Sequence, residues 1–96
     1  MLTEDDSIAQ REFATVLPRD TVSLRLRKPR RTATGEWSCS VELTHRGLIE
    51  TTEAFGEDSM QALLLGIVMA RAQLVSLRSA YGLTWLGDTD LGLDFS

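Results

Sequence analysis

The stretch GEDSMQALLLGIVMARAQLVSLRSAYG, residues 56–82, decides the fold class of this chain. Asp58 is the expected N-cap of a helix, and Gln61 follows three residues later, the spacing of a capping box. Gly82 comes after the last turn and can adopt the left-handed backbone that commonly ends a helix. We therefore predict one long helix, whose only charged residues between the caps are Arg71 and Arg78.

This helix is apolar over more of its surface than one sheet can cover. One row, spaced alternately by three and four residues, is predicted to lie on a sheet: Met60, Leu63, Ile67, Ala70, Leu74, Leu77 and Tyr81. A second row consists of Leu64, Val68 and Val75, and a third of Ala62, Leu65 and Met69. Large uncovered patches are rare on monomers, so we expect the second row to be covered by a returning tail or in a symmetric homodimer.

The residues before the helix show the two-residue periodicity of strands. Val22, Leu24 and Leu26 alternate with polar residues, and the segment 37–44 alternates in the same way. Two further strands are predicted within residues 8–17 and 48–55, with turns at 17–20 and 46–47 and an exposed loop at 28–36. The prediction is an α+β fold: an antiparallel four-stranded meander sheet, one long C-terminal helix packed across it and an extended C-terminal tail.

Length and composition bound the organisation. Residues 1–96 suit a single domain, of which we expect residues 1–7 to be disordered. The polar, acidic start MLTEDDS does not resemble a signal peptide, and the single cysteine cannot form an internal disulfide, so we expect a cytoplasmic protein. The longest apolar run, residues 62–70, is about half the ~20 residues of a membrane span, so no membrane association is expected.

Two motifs resemble those of a known family. GxDSxQAL at residues 56–63 and LxWLGxxxLG at residues 83–92, together with Arg11–Phe13 and Trp37–Cys39, are similar to a family of small uncharacterised bacterial proteins that carry a domain of unknown function. The resemblance covers most of the chain and implies bacterial origin and an α+β domain. It implies no activity and no catalytic residues, because the motifs can be explained as helix cap, core and turn.

Catalytic, metal and cofactor chemistry are not indicated. Cys39 and His45, the only thiol and imidazole, would lie on one strand about 20 Å apart, too far for a catalytic dyad. Cys39 is predicted to be a small buried hydrophobe and His45 to be exposed near a turn. One Cys and one His cannot form a zinc site, and Asp88-x-Asp90-x-Gly92-x-Asp94 lacks the essential features of a calcium loop. We expect no enzyme, no metal and no cofactor.

The remaining hypotheses concern surfaces. The leading one is a non-enzymatic interaction protein, expected to be a homodimer and to have an unidentified protein partner. One version is an immunity or antitoxin protein that neutralises a basic toxin, in which Glu50, Glu53, Asp88 and Asp90 act as decoy charge. The alternative is nucleic-acid binding through a basic patch: Arg25, Arg27, Lys28, Arg30 and Arg31. A third option is a small-molecule site between helix and sheet near Trp37 and Trp85.

Overall fold

A computed structural model describes residues 6–93 as an antiparallel sheet with one C-terminal helix packed on it. The strands are β1 (Ser7–Ala14), β2 (Thr21–Arg27), β3 (Arg30–Arg31), β4 (Trp37–His45) and β5 (Leu48–Gly56), and the helix is α1 (Ser59–Tyr81). The predicted α+β class is confirmed. Of residues 1–7, for which we expect disorder, Asp6 binds Arg27 and Ser7 begins β1, while residues 1–5 lie outside the described residues.

The sheet is the predicted meander with one addition. β1 pairs with β2, β2 with β4 and β4 with β5, all antiparallel. β5 occupies one edge of β4 along its whole length, so β2 and β3 share the other edge, and β3 continues β2 after Lys28 and Pro29. The predicted loop over residues 28–36 is therefore shorter, because Arg30 and Arg31 pair with Ser38 and Trp37.

Two hairpin turns fall where the sequence predicts them. At the β4–β5 turn, Arg46 and Gly47 both have positive φ, 53° and 80°, which matches the twist of the adjoining strands. At the β1–β2 turn, Arg19 has a φ of 60° and the Asp20 amide donates to the carbonyl of Leu17 at 3.3 Å. These turns fix the strand register and so decide which side chains meet at the sheet ends.

Both ends of α1 are capped as the sequence predicts. The Gln61 amide donates to Oδ1 of Asp58 at 2.7 Å, and the Glu57 amide donates to the side-chain oxygen of Gln61 at 2.6 Å. At the other end Gly82 is left-handed, with a φ of 64°, and its amide donates to the carbonyl of Arg78. Each cap satisfies backbone groups that the helix itself cannot pair.

Small residues bring α1 close to the sheet. Ala62, Gly66 and Ala70 are buried with Leu74, and the helix packs on β4 and β5. Leu63, Ile67, Leu77 and Tyr81 of the predicted row are partly buried around this line. The row predicted to face the sheet is wrong at Met60, which is 62% exposed. Ala62, which was predicted in the third row, away from the sheet, is fully buried. The helix therefore packs on the sheet through a line of mostly small residues, which allow a close approach to the strands.

The tail covers the half of the sheet that α1 leaves open. Thr84 exchanges two backbone hydrogen bonds of 2.9 Å with Ala14 on β1, while Leu83 and Leu91 are buried in the core that contains Phe13 and Leu24. Residues 94–96, including Phe95 of the predicted tail, lie outside the described residues. In the described part, the tail lies on the sheet and leaves the outward side of α1 uncovered.

Candidate interaction surfaces

The outward side of α1 exposes large apolar side chains to solvent. Five of its large side chains are between 41% and 62% exposed, and we call them the outer face: Met60, Leu64, Leu65, Val68 and Val75. Leu64, Val68 and Val75 are the second row predicted from the sequence, and they remain exposed in the single chain. Met60 and Leu65 were missed, because Met60 was assigned to the sheet and Leu65 to the third row.

Charged groups mark the two ends of the outer face. Glu57 and Asp58 are exposed where α1 begins, and Arg78 is exposed in its last turn. This arrangement complements the helix dipole, because carboxylates lie at its positive end and a guanidinium at its negative end. The outer face is thus an apolar strip with an acidic end and a basic end, and the exposed Arg71 lies beside Val68 and Val75 within it.

The predicted basic patch is partly neutralised within the chain. Arg27 donates to Glu42 at 2.7 Å and also binds Asp6, whose second oxygen binds Arg30. These bonds lower the pKa of Asp6, with the bond from Arg27 as the largest cause. Arg25 lies opposite Glu42 in the β2–β4 register, and Lys28 and Arg31 are exposed. The patch is therefore a mixed-charge surface.

The four predicted acidic residues do not come together. Glu50 lies on the helix side of β5, whereas Glu53 lies on the opposite side and accepts a hydrogen bond from Ser40 at 3.0 Å. Asp88 and Asp90 are in the tail, where each carboxylate accepts a backbone amide two residues later, at 3.0 Å and 2.9 Å. The tail acids thus stabilise turns, and the β5 acids lie on opposite sides of the sheet.

An unpredicted polar cluster forms where β2 begins and β4 ends. Asp20 accepts hydrogen bonds from Thr15 at 2.7 Å and Arg46 at 3.4 Å, and it bonds Nε2 of His45 at 3.1 Å. These contacts, with that to His45 the largest cause, lower the pKa of Asp20 from 3.8 to about 2. The prediction that His45 is exposed is wrong: it is half-buried, and its ring packs edge-on against Tyr81. The cluster could have been predicted from the antiparallel pairing of β2 with β4, because this pairing places the start of β2 beside the end of β4.

The residues considered for chemistry occupy separate places in the part of the chain described. Cys39 is fully buried, as predicted, and burial raises the pKa of its thiol. Within residues 6–93 no group of His, Cys, Asp and Glu has the arrangement of a metal site. Trp37 lies on β4, while Trp85 packs on the guanidinium of Arg11 on β1, so the two tryptophans do not share a site.

The helix α1 is long and apolar enough to cross a membrane by length and composition alone, with a mean hydropathy of 1.6 in its most apolar window. Core helices of globular domains pass the same test. Here Ala62, Gly66, Ala70 and Leu74 are buried against the sheet, which makes α1 a structural part of the domain. Its apolar excess is the outer face.

These features define a small α+β domain whose sheet is covered on one side by a helix and a tail. The chain belongs to the family described as Domain of unknown function (DUF6968), whose model matches residues 9–95. No curated protein and no solved structure matches the chain. The family assignment is consistent with an uncharacterised domain, which is the coarser part of what the resemblance implies.

Proposed function

We propose that this chain is a non-enzymatic protein-interaction module that works as a homodimer, with the outer face of α1 as the contact. The observation that carries the proposal is the exposure of five large apolar side chains along one side of one helix. Monomeric proteins rarely leave a contiguous patch of this kind in water. Covering it removes apolar surface from water, which is the dominant favourable term in protein association.

The charges at the two ends of the outer face favour a second copy of the chain as the occupant. Val68 is ten residues after Asp58 and ten residues before Arg78. If two helices lie antiparallel about a two-fold axis at Val68, the acidic end of each meets the basic end of the other. The antiparallel helix dipoles attract as well. An isologous contact of this kind closes as a dimer.

The spacing along the outer face suits a helix pair. Leu65, Val68, Ala72 and Val75 follow one another at intervals of three, four and three residues, the pattern of helix-helix seams. In the antiparallel arrangement about Val68, Leu65 of one copy lies near Ala72 of the other. A large residue thus meets a small one, which permits close packing.

Sedimentation velocity over a range of protein concentrations tests the proposal. Wild-type protein is expected to be dimeric. Val68→Glu should be monomeric, since it brings two carboxylates together near the two-fold axis in an apolar contact. Leu86→Glu is the matched control, because Leu86 is 88% exposed on the tail and its substitution should leave the dimer intact. Circular dichroism confirms that each variant is folded.

Two results would overturn the proposal. One is a wild-type chain that stays monomeric at submillimolar concentration. The other is a folded Val68→Glu variant that remains a dimer. A monomer that binds lipid vesicles through Val68 would instead assign the outer face to a membrane surface.

In its finer form the proposal makes the module a bacterial, cytoplasmic immunity or antitoxin protein. Its support is the small acidic chain, the family resemblance and the exposure of Asp88 and Asp90. Each of these carboxylates caps a turn through one oxygen, so asparagine can keep the cap while removing the charge. An Asp88→Asn, Asp90→Asn double variant should therefore lose protection against a neighbouring toxin without unfolding; full protection would contradict a role for these charges.

A further inference from the structure

The outer edge of β5 is unpaired along its nine residues. Within residues 6–93, β5 pairs with β4 and with no strand on its other side. The opposite edge of the sheet is interrupted, because β1 has a register shift between Ser7 and Ala9 and its end is paired with Thr84. Natural sheets blunt free edges with bulges, prolines or charged side chains, lysine above all. The sequence of β5, LIETTEAFG, has no proline or lysine, and its two charged residues are Glu50 and Glu53, so its edge is suited to a strand that neutralises them.

A groove lies beside this edge, between β5 and the second half of α1. Its volume is about 430 Å³, and it is open to solvent. Leu48, Leu77 and Tyr81 form its apolar wall, and Glu50, Gln73 and Ser76 contribute polar groups. A strand added to β5 would direct alternate side chains toward this groove.

The charged side chains on β5 and in the cleft at its far end are all carboxylates. Glu50 and Glu53 belong to β5, and Glu36 and Glu57 line the cleft that contains Phe55 and Gly56. At the other end Arg46 lies over the ring of Tyr81 in the groove wall, and its charge is paired with Asp20. The edge therefore favours a basic occupant and disfavours an acidic one.

We infer that the β5 edge binds an extended, basic, β-branched segment of a partner protein, which extends the sheet by backbone hydrogen bonds. Two cations three positions apart in the segment would reach Glu50 in the groove and Glu53 on the opposite side of the sheet. Apolar residues of the segment would pack on Ile49 and Phe55, which are 64% and 49% exposed. This is strand addition to a sheet edge, in which backbone bonds give affinity and side-chain pockets give specificity.

Two other occupants fit less well. A second copy of β5 would place carboxylates beside carboxylates. The first five residues of the chain, MLTED, are acidic as well. The inference goes beyond the dimer proposed for α1, because the β5 edge and the outer face are different surfaces.

The test uses the whole protein labelled with ¹⁵N and the capped peptide TVTKVTKVT, whose two lysines have the spacing of Glu50 and Glu53. Titration followed by NMR should shift the amides of residues 48–56 and slow their exchange with solvent. Replacing both glutamates with glutamine should weaken binding roughly tenfold, since two exposed charge pairs are lost. The monomeric Val68→Glu variant should bind as wild type does, which separates this inference from the proposed dimer.

Two altered peptides make the test specific. An analogue methylated on alternate backbone nitrogens keeps the charge but cannot pair with a strand, so it should not bind. An analogue with glutamate in place of lysine should not bind either. The inference would be overturned by equal binding of the methylated analogue, by shifts confined to α1, or by no shifts at millimolar peptide.

Discussion

Gly66 of α1 and Cys39 of β4 are in such close contact that a Cβ added to the glycine would lie 3.1 Å from the cysteine Sγ. The next neighbours of that Cβ, at 3.5 Å, would be at ordinary van der Waals distance. One sulfur atom therefore sets the distance between the helix and the sheet at this point. The contact explains why α1 packs on small residues.

Gly66→Ala is expected to lower the free energy of unfolding by about 1 kcal/mol. The alanine gains up to about 1 kcal/mol of helix propensity, but overpacking against Sγ costs about 1–3 kcal/mol. In a Cys39→Ala background the sulfur is absent, so the same change should be neutral or stabilising. Urea unfolding of the four proteins measures this coupling, and additive effects within about 0.5 kcal/mol would contradict the contact.

A charge exchange at the ends of α1 should weaken and then restore the proposed dimer. Glu57→Lys brings like charges together in the antiparallel pair, and Arg78→Glu does the same from the other end. Each variant alone should raise the dimer dissociation constant several-fold at low salt, whereas the double variant should recover most of the affinity. Sedimentation at two salt concentrations measures both effects. A double variant weaker than either single one would argue against the antiparallel arrangement.

Stability in acid should depend on Asp20. Its folded-state pKa of about 2 is below its usual 3.8, mainly because of the bond to His45. A depressed carboxylate pKa stabilises the fold above the unfolded value, and that stability is lost as the pH falls from about 4 toward 2. Asp20→Asn cannot ionise, so its unfolding free energy should vary less with pH in this window. Asp90→Asn is the control. If the unfolding free energy of Asp20→Asn falls as steeply with pH as that of the wild type, the role assigned to Asp20 is wrong.

The packing of the tail against β1 should depend on Arg11. The Cζ atom of Arg11 lies 3.6 Å from the ring centroid of Trp85, and Nη1 donates to the carbonyl of Leu91 at 3.1 Å. Arg11→Met removes the hydrogen bond and the cation–π contact, which together contribute about 1–3 kcal/mol. We expect faster hydrogen exchange at the Thr84 amide, which bonds to Ala14. Arg25→Met on the other side of the sheet is the control, and equal exchange in both variants would refute the role of Arg11.

The thiol of Cys39 should be unreactive in the folded protein. It is fully buried, and burial raises its pKa, so little thiolate is present at neutral pH. A disulfide reagent should therefore react only at the rate at which the fold opens. Reaction of native protein as fast as that of protein in urea would show that α1 does not protect the sulfur.

Local patterns predicted most of the fold. The Asp58 and Gln61 cap, the left-handed Gly82 and the turn at residues 46–47 each depend on a few neighbouring residues, so the sequence carries their signal directly. Strand alternation likewise identified the buried side of β2 and β4. The short β3 was missed because its two residues adjoin a proline and because its pairing with β4 is not a local property.

The face on which α1 packs was predicted only in part. Periodicity favoured large side chains, so Met60 was placed on the sheet and Ala62 was not. The close contact of Gly66 with Cys39 depends on the distance between two elements, which hydrophobicity does not encode. The same limit applies to the tail, where Thr84 meets Ala14 from the far end of the chain.

The candidate surfaces, like the packing face of α1, were predicted from the sequence only in part. Leu64, Val68 and Val75 could be predicted because the helix has more apolar residues than one sheet can cover. They are exposed in the structure. The pairing of Arg27 with Asp6 and Glu42 could not be predicted, because it requires the register of β2 against β4 and the path of the first residues. The free edge of β5 follows from strand order and is not a property of its own sequence.

The position of Leu83 and Leu91 in the core has a consequence during protein synthesis. The four long strands can pair once residue 56 has left the ribosome, but the side of β1 and β2 that carries Phe13, Val22 and Leu24 is covered only in part, by α1, until residue 91 has left it as well. A chain caught between these points carries a partly open apolar sheet. Such a sheet is prone to aggregate for as long as it stays open.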